Sequence, residues 1–329
     1  MADQNEASAV LNCIDLSNPD IHHSASLIKQ ACMDSGFFYV INHGISKEFM
    51  AEVFVQSKKF FTLPMEEKMK LMVETYRGYK LPLKNQFIDQ ETNQQAHGEA
   101  YALIKESPDA DKIADKPLLG PNVWPPADVF PGWKETMLKY QQEVLNVGRA
   151  VSRLIAIALD LNVDFFDQPE FLGNALPYVS FNHYGVEGAD PSKEYILGTP
   201  AHSDPSLITL LATDDIPGLQ ICRDVHANPR IWKYVSPLKG AFIVNIGDML
   251  ERMSNRVFRS TMHRVLFRQD RYTIAFFVYP SHDAIIECFP SCKSEENPPK
   301  YPPIKSEELL SLIFRKVAAG RTPRDITED

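Results

Sequence analysis

His202 and Asp204 stand one residue apart in "AHSDPSLITLL", directly before an apolar run. If this stretch is extended, alternate residues share a face, so the imidazole and the carboxylate point to one side and Ser203 to the other. A His nitrogen beside a carboxylate oxygen suits a divalent iron, zinc or manganese ion. A third ligand must come from elsewhere in the chain. His263 in "STMHRVLF" opens another candidate strand, and 58 residues separate it from Asp204, room for about three strands and a helical turn to bring the chain back. The alternatives are worse placed. His22, His23 and His43 fall in a helical N-terminal part, His97 in a Gln/Asn-rich loop, His226 in a polar hairpin, and His183 on a separate strand. Two imidazoles and one carboxylate on one face leave three adjacent coordination positions open, the arrangement of non-haem Fe(II) sites that admit a co-substrate and O2. An H-x-D triplet alone carries little weight, because Asp204-Pro205 could simply open a turn.

A second pair follows eight residues after His263, in "RYT". Arg271 and Thr273 share one face of a strand. A guanidinium directed into an otherwise apolar barrel is costly unless an anion meets it. Its fork binds a carboxylate through two parallel hydrogen bonds, and a Thr hydroxyl adds a third. A dicarboxylate such as 2-oxoglutarate could chelate iron through its keto-acid end and reach Arg271 and Thr273 with the other. The alternative is that Arg271 is a surface strand residue.

The elements that must position these groups are legible in part. "NCIDLS" reads as a short strand, "NPDIHHSASLIKQACMDSG" as a helix stopping at Gly36, and "FFYVI" as a strand with "NHG" as its turn. Helices follow in "KEFMAEVFVQSKKFF" and "PMEEKMKLM", the latter with Pro64 at its first position. Residues 76–130 read as loops with one strand near "EAYALIK", and Trp133 to about Leu161 as a long amphipathic helix. From Leu176 onward "PYVSFNHY", "SLITLLA", "GLQICRD", "IWKYVSP", "AFIVNIG", "STMHRVLF" and "RYTIAFFVYP" are short strands between turn residues, which suggests a sandwich, jelly roll or barrel. "SEELLSLIFRKVAAG" reads as a closing helix.

A net charge of −9 over 329 residues argues against general affinity for nucleic acid or anionic membrane. No apolar run approaches the ~18 residues of a transmembrane helix. The first ten residues lack the basic and apolar regions of a secretory leader, and the end carries no retention or lipidation motif. Five scattered cysteines and the absence of N-x-S/T acceptors fit a reduced, cytoplasmic setting. Cys288 and Cys292 in "ECFPSC" lack a second pair and read as a plain loop.

Taken in order, these strings resemble the plant-type 2-oxoglutarate- and Fe(II)-dependent dioxygenases of the isopenicillin-N-synthase-like superfamily. "ACMDSGFFYVINHGI", "KKFFTLPMEEKMK" and "RGY" resemble the family's leading domain. "FNHY", "AHSDPSLITLL", "GLQI", "VNIGDMLERMSN", "STMHRVLF" and "RYTIAFFVYP" resemble its oxygenase domain. The resemblance implies His202, Asp204 and His263 as iron ligands and Arg271 as the arginine on the distal carboxylate, with Thr273 where the family usually has Ser. It also implies that Tyr184 touches the co-substrate, with Asn182 two residues earlier on the same face, and that Phe277 packs on the substrate. The interval from His263 to Arg271 is shorter than the family's, so "RVLFRQD" is expected to be a tight hairpin.

The fold so implied is α+β: a double-stranded β-helix, or jelly roll, flanked by helices, with an N-terminal α/β extension. The expected division is 1–125 for the extension and variable substrate loops, 126–175 for a bridging helix region, 176–290 for the jelly roll and 291–329 for a closing loop and helix. The implied activity is oxidation of a small, largely apolar organic molecule, a plant hormone or specialised metabolite, with 2-oxoglutarate and O2 consumed and succinate and CO2 released. Ascorbate is the expected reductant and a monomer the expected state. Three readings compete with it: a same-fold oxidase that uses ascorbate in place of 2-oxoglutarate, a catalytically silent small-molecule binder, and a zinc hydrolase, for which no general base or oxyanion donor is evident.

Overall fold

The computed structural model describes residues 9–73, 76–81, 88–89, 91–107, 116–190 and 192–318. Much of the variable stretch between 80 and 115, and the end of the closing helix past 318, therefore lie outside the described residues. Counting strands of three residues or more, the N-terminal part runs β1 (Cys13–Asp15), α1 (Ile21–Asp34), β2 (Phe37–Ile41), α2 (Lys47–Phe61), α3 (Met65–Met69), β3 (Gly78–Lys80) and β4 (Glu99–Leu103). The long helix α4 (Trp133–Ala158) leads to β5 (Leu176–Tyr184), β6 (Ile196–His202), β7 (Ile208–Thr213), β8 (Leu219–Asp224), β9 (Ile231–Tyr234) and β10 (Phe242–Ile246). Then come α5 (Asp248–Met253), β11 (His263–Phe267), β12 (Arg271–Tyr279) and α6 (Ser306–Ala318).

Two sheets face each other. The larger has eight strands in the order β1-β2-β10-β7-β12-β5-β4-β3, and the smaller has four, β6-β11-β8-β9. All these neighbours are antiparallel except β1 and β2. The N-terminal extension thus supplies strands to both edges of the larger sheet rather than folding apart from it.

Alternation along β12 shows how the layers are built. Ile274, Phe276 and Val278 are each 0% exposed and join the core with Val144, Val147 and Val151 of α4. Arg271, Thr273, Ala275 and Phe277 face the other way, into the space between the sheets. Period-two alternation in a strand covered on both faces therefore separates a helix-side core from a cavity-side lining.

Several expectations change. β6 is absent from the expected strands; Gly198 and Pro200 interrupt its pattern, and it is an edge strand with register shifts, where Pro is tolerated. β3 falls where loops are expected. Four strands rather than three lie between Asp204 and His263, and α5 is the expected helical turn. "RVLFRQD" is not a hairpin: β11 belongs to the smaller sheet and β12 to the larger, so residues 268–270 carry the chain from one sheet to the other. α4 stops at Ala158, because Asp160 turns to φ 57° and the Leu161 N–H returns to the Ala156 carbonyl. Pro64 is the residue before α3, not its first. α1 starts at Ile21, where Asp20 accepts the His23 N–H at 2.9 Å, and it ends before Gly36, whose φ of 70° takes the chain out of the helix.

Candidate active site

The mouth of the space between the sheets is set by a direct pairing. His202, the last residue of β6, lies opposite His263, the first residue of β11. Asp204 is not on a strand; it lies in the link between β6 and β7. Its approach to the histidines comes from that link and not from the alternation expected from sequence. The three side chains nonetheless converge, each offering one ligand atom, all within 4.8 Å of one another. His202 Nε2 is 3.5 Å and His263 Nε2 3.6 Å from Asp204 Oδ1.

The surroundings orient each group. His202 Nδ1 lies 2.8 Å from the Pro200 carbonyl oxygen, and His263 Nδ1 lies 3.1 Å from that of Thr261. Nδ1–H donation to those carbonyls leaves both Nε2 lone pairs directed at the common point. Asp204 Oδ2 accepts the Thr209 hydroxyl at 2.7 Å and the Asn245 amide at 2.9 Å, which leaves Oδ1 for a metal. Burial opposes the Asp204 charge, but the neighbouring His263 and His202 and the Thr209 hydrogen bond hold its carboxyl well below the usual range. Burial, reinforced by His202, pushes His263 down to about 4, so it is a neutral imidazole at physiological pH. Burial acts the same way on His202, but the Asp204 hydrogen bond and charge outweigh it and hold that imidazole above its ordinary value.

Arg271 opens β12 at 2% exposure. Its Nε donates to the Ile216 carbonyl at 3.1 Å and its Nη2 to the Thr213 hydroxyl at 3.3 Å. Its Nη1 is buried with no partner among the described residues. Burial acts against its charge, so the cavity holds a desolvated cation with a free donor, which an anion would complete.

The other expected residues are in the same place. Tyr184 and Asn182 pair across strands with Arg271 and Thr273. The Tyr184 hydroxyl lies 3.1 Å from that of Thr199, the guanidinium carbon is 5.4 Å from the Tyr184 ring centre, and Asn182 Nδ2 donates to the Thr273 hydroxyl at 3.2 Å. All of these and Phe277 line one cavity of about 140 Å³ with the triad. Phe277 lies toward the end opposite Arg271, beside Tyr178 with ring centres 5.5 Å apart.

Sequence reasoning gave no role to Asn245, Thr209, Thr213 or Asp248. A signal was present for Asn245: it is the one polar residue in "FIVNI", and a buried polar group needs a partner. Asp248 is buried too, which pushes its carboxyl up to about 7 against hydrogen bonds from Ser260 and Ser203.

A double-stranded β-helix with a His-Asp-His cluster at its mouth and, deep within, a buried arginine with one donor left free among the described residues is the architecture of a 2-oxoglutarate-dependent oxygenase. Comparison with known proteins agrees. The family profile described as "non-haem dioxygenase in morphine synthesis N-terminal" matches residues 11–127, and that of the 2OG-Fe(II) oxygenase superfamily matches residues 177–280. The chain is 58% identical to kihadalactone A synthase of Citrus sinensis, over 94% of its own length and 92% of the relative's. It is 53% identical to azadirone synthase of Melia azedarach, over 94% and 93%. Among solved structures, a full-length Neurospora crassa protein in complex with alpha-KG and thymine superposes with a TM-score of 0.80 at 28% identity, covering 96% of this chain and 99% of that one. JOX2 in complex with 2OG, Fe and JA superposes with a TM-score of 0.74 at 28% identity, covering 93% and 86%. The chain belongs to the plant-type 2-oxoglutarate- and Fe(II)-dependent dioxygenases and is an oxidoreductase of that class.

Proposed function

We propose that His202, Asp204 and His263 hold the Fe(II), that Arg271 with Thr273 binds the distal carboxylate of 2-oxoglutarate, and that Phe277 bounds the substrate end. One observation carries the reading: three ligand atoms within 4.8 Å share a cavity with a buried guanidinium whose Nη1 has no partner among the described residues. The donor set suits ferrous iron, and the free Nη1 suits an anion. When bound, the iron would let O2 act as the oxidant of an unactivated carbon, with 2-oxoglutarate giving up the other two electrons as it is converted to succinate and CO2.

The protein's own part is positional. The Pro200 and Thr261 carbonyls fix the imidazoles, and Thr209 and Asn245 restrict Asp204 to one free oxygen. Tyr184 and Asn182 wall the co-substrate space. A cavity of about 140 Å³ is below the several hundred Å³ usual for a drug-sized ligand, so it is sized for the co-substrate. The organic substrate then enters at the Phe277 end.

By likeness to the kihadalactone A and azadirone synthases, the substrate is a plant specialised metabolite of the limonoid class. Within this proposal the enzyme works as a cytoplasmic monomer with ascorbate as reductant. The described cysteines are all free, and no helix among the described residues is long and apolar enough to cross a membrane. The division at 125, 175 and 290 is kept as part of the same reading, supported by the position of α4 between the extension and β5.

The test is incubation with Fe(II), 2-oxoglutarate and a panel of limonoids, following succinate and product together. Equal yields of the two are expected. Product formed without consumption of 2-oxoglutarate would favour the ascorbate-dependent oxidase, and no O2 uptake with any ligand the silent binder.

A further inference from the structure

One buried carboxylate outside the triad touches both segments that carry the triad. Asp248, the first residue of α5, is 4% exposed. Its Oδ2 accepts the hydroxyl of Ser203, the residue between His202 and Asp204, at 3.1 Å. Its Oδ1 accepts the hydroxyl of Ser260, three residues before His263, at 2.6 Å. Its backbone N–H donates to the Asp204 carbonyl at 2.7 Å.

Both tethered segments, 203–207 and 254–262, lie outside the strands, and backbone bonds to neighbouring strands reach only their strand-side ends, from the Leu207 N–H to the Val278 carbonyl at 3.0 Å and from the Cys222 N–H to the Met262 carbonyl at 2.8 Å. The Ser260 N–H donates to a further carboxylate, Glu251, at 2.6 Å. The strongest influences on Asp248 besides burial are the two hydroxyls and the neighbouring carboxylates Glu251 and Asp204. Asp248 forms no ion pair with a cation among the described residues, and a carboxylate buried in that way is a costly choice where an apolar residue would pack, unless its two oxygens are needed as acceptors.

We propose that Asp248 is a positioning residue that ties the His202–Asp204 link to the segment leading into His263 and thereby sets the spacing of the metal ligands. This rests on the triad reading above. The two serines are the arms of the tie, and Asp248 is the joint. Cutting either arm frees one ligand segment from the other, so losses from the two arms do not add.

The experiment is Mn(II) titration of the apoprotein, with free Mn(II) read by electron paramagnetic resonance and apoprotein Tm measured alongside. Supporting residues behind metal ligands are typically worth about 10–100-fold in affinity. Ser203→Ala and Ser260→Ala are each expected to weaken Mn(II) binding about tenfold. The double variant should match Asp248→Ala rather than reach the product of the two losses. Asp248→Asn keeps one acceptor and can donate to the other hydroxyl, so it should stay within about threefold of the wild type.

Wild-type affinity in both serine variants would overturn the proposal even if Tm falls, and so would Asn performing no better than Ala. If Asp248→Ala does not fold, the serine variants decide alone. His263→Ala separates the two readings. If it binds Mn(II) as tightly as the wild type, the triad itself is wrong; if it loses binding while the Asp248 and serine variants do not, only the tie is wrong.

Discussion

The two oxygens of Asp204 have different jobs. Oδ2 is taken up by Thr209 and Asn245, and Oδ1 faces the imidazoles. The proposed ligand set, fixed this way, tolerates no missing member. His202→Ala is expected to abolish Mn(II) binding and succinate release while leaving the apoprotein folded; a titration showing wild-type affinity would remove the triad. Arg271 is a sharper case, because Nε and Nη2 are occupied by Ile216 and Thr213 while Nη1 is free among the described residues. Lysine keeps the charge and loses this division of labour. Charge-assisted hydrogen bonds are worth about 1.5–3 kcal/mol, so Arg271→Lys should raise the KM for 2-oxoglutarate roughly ten- to a hundredfold. Steady-state kinetics at saturating substrate measures it, and an unchanged KM would refute the role. These residues could be named from the chain alone because chemistry restricts their types: few side chains bind iron, and few reasons exist to bury an arginine.

Elements carry the next level of specification. β12 could be read correctly because its period-two pattern is uninterrupted, and both of its faces are used as the pattern implies. β6 could not, because Gly198 and Pro200 break the pattern and an edge position makes the break tolerable. The junction of β10 and α5 is the tightest point near the site. A Cβ at Gly247 would lie 2.0 Å from the Ser206 carbonyl oxygen, and the Gly247 N–H donates to the Leu207 carbonyl at 2.9 Å. The obstacle is backbone, so it cannot swing aside. Gly247→Ala should therefore displace the link that carries Asp204, costing about 1–3 kcal/mol by overpacking and weakening Mn(II) binding together. Chemical denaturation and the metal titration check the two effects, and a variant unchanged in both would show that the link moves freely.

The molecule as a whole depends on a joint between the N-terminal extension and the jelly roll. Glu99 of β4 accepts Lys68 Nζ at 2.6 Å and the Tyr79 hydroxyl at 2.5 Å, and lies 2.9 Å from His183 Nδ1 of β5. His183 in turn stacks on Tyr272 of β12 with ring centres 4.4 Å apart. The Lys68 and Glu99 side chains are 7% and 12% exposed. Removing one partner of a buried pair strands the other, so Glu99→Ala should cost about 3–5 kcal/mol, read from a denaturation midpoint. Burial raises the Glu99 pKa, but His183, Lys68 and Tyr79 outweigh it and hold the carboxyl below its ordinary value of 4.5. A depressed folded-state pKa contributes stability that is present above the ordinary value and lost as pH falls through the folded one. The wild type should thus lose stability below about pH 4.5 more steeply than Glu99→Gln; parallel curves would show that the joint does not titrate.

Residue types and local periodicity were enough to single out His202, Asp204, His263, Arg271 and Thr273 as candidates and to place most of the strands, because the side chains that suit a metal or an anion are few and alternation is written into short stretches of chain; their roles rested on the conjunction of these strings and on the family resemblance. The triad's assembly was legible only as a possibility. The pairing of His202 with His263 is a register between two strands distant in sequence, and the place of Asp204 depends on a link that no periodicity describes. The same holds for the crossing of residues 268–270 between sheets, where a hairpin is expected from the sequence, and for Asp248, whose two serine partners lie 45 and 12 positions away. Such contacts are fixed by packing among remote segments, and their energies arise only once the chain has closed around them.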